Sequence, residues 1–112
     1  MSRAVRIGAL DRRITLQQRS SSKDSSGQQS QTWSDAFTCW AAIDPLSGRE
    51  LQAAQAIVAE TTHEVLIRYR STVRPDMRVV YQTKVFDVLN VLDEGMQHRM
   101  LRMLCSEGLN QG

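Results

Sequence analysis

Two histidines, two cysteines and a scatter of carboxylates are the residues of this 112-residue chain that could do covalent or acid–base chemistry. A nucleophile needs a base within hydrogen-bond reach and a third group to orient that base, and motifs for such sites place the groups at recognisable spacings. Neither Cys39, Cys105 nor any serine stands at such a spacing from a histidine and an acid. His63 shares a strand face with Val65 and Ile67, the setting of a hydrogen-bonded structural histidine. His98 falls in a polar turn beside Gln97 and Arg99, where solvation is expected. Asp93-Glu94 reads as a turn, not as a carboxylate pair held for proton transfer. Each cysteine sits in an apolar run without a Cys or His at ligand spacing, so both read as free thiols packed like small hydrophobes. The glycines are scattered, and none builds a phosphate-cradling loop. The expectation is no catalytic residue, no metal and no cofactor.

What remains is recognition chemistry. Glu50 and Glu60 place acid on the expected helix, while Arg68, Arg70, Arg74 and Arg78 fall on outward strand positions and the adjoining turn. A head-to-tail contact between copies uses two different patches, so one acidic and one basic flank suit it. A guanidinium grips a carboxylate in bidentate fashion. These six residues are the candidate subunit interface, against a solvated charged face as the plain alternative. Of the aromatics, Phe37, Tyr69, Tyr81 and Phe86 lie in apolar runs and belong to the core, which leaves Trp33 and Trp40 as candidate partner anchors.

The elements that carry these residues are short strands with one helix. Ser47-Gly48-Arg49-Glu50 reads as a capping box, with the Ser47 hydroxyl accepting from the backbone and Glu50 reaching back. The alanine-rich run from Leu51 to Glu60 follows, with Leu51, Ala54 and Val58 on one stripe and Ile57 beside it. Period two marks strands over 13–19, 37–43, 62–70, 77–81, 85–92 and 99–106. Between the first two lies Ser20 to Gln31, which has no apolar side chain and cannot bury area against the entropy of ordering. It is expected as a mobile polar loop or an extended hairpin turning at Asp24-Ser25-Ser26-Gly27. Six turn-punctuated strands and one helix point to a mainly β fold, a small antiparallel barrel with the helix packed on it.

One domain spans the 112 residues, with 1–10 as an N-terminal arm and 107–112 as a C-terminal tail. At this size a chain buries roughly 65% of its unfolded surface, enough for a single core. The formal charge of +2 is too small to imply a nucleic-acid partner. No run approaches the ~18 apolar residues of a membrane span, and the N-terminus lacks the apolar stretch of a secretory signal, so synthesis in a cytoplasm is expected.

The succession Arg13-Ile14-Thr15-Leu16, Gly27, Thr32-Trp33, Trp40-Ala41, Pro45 through Glu50, Ala54, Thr62-His63, Ile67 through Arg70, Pro75, Met77-Arg78, Tyr81 and Leu101-Met103-Leu104 resembles the head-closure family of tailed bacteriophages, also called head–tail adaptor, joining or stopper proteins. The resemblance runs from about Leu10 to Glu107 and rests on the order and spacing of these pieces together. It implies a small β-barrel bearing one helix, and a structural role in the virion. Copies would form a ring at the head–tail junction, with portal and adaptor (connector) proteins above and a tail-terminator protein below. The ring would close the channel after packaging, while double-stranded DNA passes without sequence-specific binding. In the family a long polar loop between early strands points into the channel. Here the matching closure residues are Ser21, Ser22, Lys23, Asp24, Ser25, Ser26, Gly27, Gln28 and Gln29.

Two other readings stand beside this one. A small barrel with mild positive charge also fits an oligonucleotide-binding module, which stacks bases on exposed aromatics set among cations. A tail-completion ring protein shares small β folds and ring symmetry. Lys23, the single cation of the polar segment, is opposed by Asp24, so steric closure is expected over phosphate binding.

Overall fold

The computed structural model describes residues 10–23, 29–93 and 96–108, with the side chains of 20–31 not among what is described. Its elements are β1 (Arg12–Lys23), β2 (Gln29–Pro45), α1 (Gly48–Ile57), β3 (His63–Arg68), β4 (Arg78–Tyr81), β5 (Lys84–Asp93) and β6 (Met100–Glu107). The strands close into one barrel in the order β1-β2-β3-β6-β5-β4, antiparallel at every seam. The mainly β barrel with one helix is therefore the observed fold. Among the described residues no helix is long and apolar enough to cross a membrane.

Period two builds the interior. Ile14 and Leu16 of β1, Ala41 of β2, Val65 and Ile67 of β3, Val79 of β4, Phe86 and Val88 of β5, and Leu101, Met103 and Cys105 of β6 point into one core. A register shift between Val88 and Asn90 interrupts β5. The extra residue swaps the faces, so that Val91 packs on the core while Leu92 turns outward toward α1. On that outer side Leu46, Ala54 and Leu104 form a second buried cluster with Leu51 and Leu92 packed against it. β6 is buried on both faces for this reason: barrel interior on one side, helix on the other.

The helix departs from expectation at both ends. Ser47 occupies the N-cap with extended backbone, but its hydroxyl makes no capping hydrogen bond. The helix stops at Ile57, not at Glu60. Val58 is already extended, at φ −137°, and Thr61 closes the turn by donating from both its N–H and its hydroxyl to the Val58 carbonyl. Glu60 thus stands in a turn beyond the helix.

The polar segment is strand at every described residue. β1 pairs with β2 from Arg12↔Ala41 to Lys23↔Gln29, whereas β4 pairs with β1 only over Thr15 to Gln17 and β3 pairs with β2 only from Ala41. Beyond Gln17 the β1–β2 ladder runs on for six further pairs, and among the described residues no third strand joins it. At ~3.4 Å per residue this ribbon reaches about 20 Å beyond the barrel, in keeping with overall extents of 54 × 27 × 25 Å. The expected turn residues Asp24, Ser25, Ser26, Gly27 and Gln28 lie outside the described residues, as do residues 1–9 of the arm. The tail begins later than expected: Glu107 completes β6, and the Gly108 N–H donates to the Val85 carbonyl at 2.7 Å.

Candidate functional site

At the root of the ribbon a polar cluster staples two strands to a third. The register shift between Leu16 and Gln17 leaves Gln17 opposite both Asp35 of β2 and Arg78 of β4. Gln17 donates through Nε2 to Asp35 Oδ1 at 2.9 Å and accepts from Arg78 Nε at 2.7 Å. The Arg78 guanidinium lies over the Trp33 ring at 4.2 Å, and Arg19 approaches the same ring at 5.2 Å. Arg78 does point outward, as expected, yet this cover leaves it only 9% exposed. It is a buried member of the ribbon root rather than an open contact residue, and Trp33 is engaged with it.

A second site opens where β2 and β3 part. Beyond the Ala41↔Ile67 pair the two strands are no longer bonded, and a hollow of about 360 Å³ lies in the gap. Arg13, Arg68 and Arg70 line it together with Trp40, Cys39, Leu10 and Thr38. Arg13 donates to the Thr38 hydroxyl at 3.1 Å and lies over the Trp40 ring at 5.3 Å. Arg70 sits over Phe37 at 4.1 Å. Burial pushes the Cys39 thiol above its ordinary value, with Arg70 and Arg13 pulling the other way. Trp40 is 52% exposed, unusual for so large an apolar ring.

The structure therefore divides the six expected interface residues. Arg68 and Arg70 meet at the hollow with Trp40. Arg74 pairs with its neighbour Asp76 at 3.3 Å on the exposed β3–β4 connection, and Arg78 belongs to the ribbon root. Glu50 and Glu60 are exposed on and after α1. Sequence reasoning missed Arg13, Gln17 and Arg19. The signal was available in part, because a hairpin folded near residue 26 brings Arg13 within a residue or two of Trp40.

The groups considered for catalysis are dispersed. His63 contacts the Thr62 hydroxyl through Nδ1 at 2.9 Å and packs on the Phe86 ring at 4.9 Å. His98 is exposed but engaged: it pairs with Asp93 at 3.3 Å and stacks on Tyr69 at 4.5 Å. Cys39 and Cys105 are free thiols, and Cys105 is buried in the core. Among the described residues no three His, Cys, Asp or Glu side chains are grouped to hold a metal ion.

Comparison with known proteins gives this barrel a family. The model of the phage head completion protein family matches residues 5–108. Protein SF1141 from Shigella flexneri 2a, whose solution structure is known, is 29% identical over 95% of this chain and 99% of its own, with a TM-score of 0.79. A chain from the virion of a native gene transfer agent particle shares the fold, with a TM-score of 0.61 at 16% identity over 89% of this chain and 96% of its own. No curated protein matches. The family match takes in every strand of the barrel, the helix and the ribbon, and the chain thus belongs to the phage head completion protein family.

Proposed function

We propose that this structural phage head protein acts as a ring at the head–tail junction. Copies stand below the portal and adaptor proteins, close the DNA channel after packaging and present the surface on which a tail-terminator protein docks. The protein is made in the host cytoplasm and incorporated into the virion there. The observation that carries the reading is the bare two-stranded ribbon. An isolated hairpin is marginal in water, and its outer edges offer rows of backbone donors and acceptors. Gathered around an axis, ribbons from several copies supply one another with the neighbours that the barrel does not. Ser21, Ser22, Lys23 and Gln29 lie on the described part of the ribbon, and the remaining closure residues lie outside the described residues.

Closure in this reading is steric. A duplex meets a constriction of polar backbone and short side chains, and a formal charge of +2 per copy gives little phosphate attraction. Deleting Ser21 to Gln29 tests it. The barrel should still fold and enter particles, while filled heads lose their DNA. Retention of DNA and normal tail joining by the shortened chain would remove the ribbon from the mechanism.

A further inference from the structure

The hollow between β2 and β3 and the exposed face of α1 occupy separate parts of the barrel wall. α1 packs on Leu104 of β6 and Leu92 of β5, and in the closed strand order these two strands are across from β1 and β2, which carry Arg13 and Trp40. The two patches also differ in chemistry. The hollow gathers three guanidinium groups around a half-exposed indole. The helix face carries Glu50, Ala53 and Ile57 at i, i+3 and i+7, one stripe of the helix, and Glu60 follows in the turn. Ile57 is 55% exposed. Arg49, the cation of this helix, stands four residues before Ala53 and so borders the stripe on one flank.

We infer that the Arg13–Trp40–Arg68–Arg70 hollow receives the Glu50–Ile57–Glu60 face of a second copy of this chain. An apolar side chain meets the indole, and the carboxylates meet the guanidinium groups around it. On one molecule the two patches are carried by different strands, β1 to β3 for the hollow and β5 and β6 beneath the helix. Between copies they make a heterologous contact, which repeats head to tail and closes when its rotation divides the circle. A duplex is a poorer occupant, because phosphates call for cations strung along a track, whereas this is one concavity beside an aromatic ring. The inference rests on the ring reading and adds its contact.

The test is made in assembled particles carrying the full chain. Cys39 lines the hollow, so in an Ile57→Cys chain a short bis-maleimide should join residue 57 of one copy to Cys39 of the next and give a ladder of multimers. The wild-type chain should give none. Arg68→Glu and Glu60→Arg should each lower incorporation into particles by about ten-fold or more, and the double reversal should bring it back to within about three-fold of wild type. Several copies per particle with neither ladder nor rescue would overturn this contact and leave the ring standing. A single copy per particle would overturn both. Weakened duplex binding by Arg68→Glu, with incorporation unchanged, would give the hollow to DNA instead.

Discussion

The guanidinium of Arg78 lies over the indole of Trp33, 4.2 Å from its centroid, and joins strand β4 of the barrel to the ribbon that leaves it. The same side chain donates at 2.7 Å to Gln17 on β1, so one arginine contacts both ribbon strands. A desolvated cation over an indole contributes about 1–2 kcal/mol, and a hydrogen bond from a charged donor a similar amount. Arg78→Ala should therefore destabilise the fold by about 2–3 kcal/mol in urea titration. Arg78→Lys should recover little, since an ammonium cannot stack and donate from the same plane. Asp76→Asn, which breaks only the exposed Arg74 pair, should change stability by less than about 0.5 kcal/mol.

Leu104 is the side chain that seats α1 on the barrel. It is 2% exposed and packs in one cluster with Leu46 and Ala54. Leu104→Ala should cost about 2–5 kcal/mol, and amide exchange should show protection in 48–57 lost ahead of the strands. Ile57→Ala on the solvent side of the same helix should stay within about 0.5 kcal/mol in the isolated chain.

The two thiols should separate cleanly in labelling. Cys105 is sealed in the core, and burial, with Asp87 and Glu64 adding, drives its ionisation far above the ordinary range. Cys39 is half-buried at a hollow with cations beside it. Under native conditions a maleimide should modify Cys39 alone, and Cys105 only at the rate of global unfolding. Mass spectrometry of time points reads both rates.

Burial holds His63 below its ordinary value near 6.5, with Glu107 partly opposing and Lys84 assisting. The unfolded chain thus binds this proton more tightly than the folded one. Stability from the group is complete above the unfolded value, and it is lost as pH falls through that value toward the lower folded one. Wild type should accordingly lose more stability between pH 7 and pH 5 than His63→Gln. Parallel curves for the two chains would show that His63 titrates alike in both states.

Much of the barrel was legible in the sequence because its strands are half-buried and alternate. Val65 and Ile67, or Leu101, Met103 and Cys105, mark the core by period alone. Strand ends were harder. β1 and β2 extend into a segment with no apolar residue, and there only pairing between the two strands, not burial, sustains the strand. Local rules also misled at Ser47, whose type and position fit a cap that its hydroxyl does not make. At Arg78 an outward strand position gives no sign that an indole from β2, two strands away, covers it. The hollow was half visible: Arg68, Arg70 and Trp40 were candidates separately, but their convergence depends on where β2 and β3 part.

The most direct measurement is electron microscopy of particles at the portal vertex, comparing wild type with particles lacking this chain. The account predicts a ring of these barrels below the adaptor, with ribbons converging on the axis, and empty, tailless heads when the chain is missing. Density for the protein elsewhere on the capsid, or filled and tailed particles without it, would contradict the account.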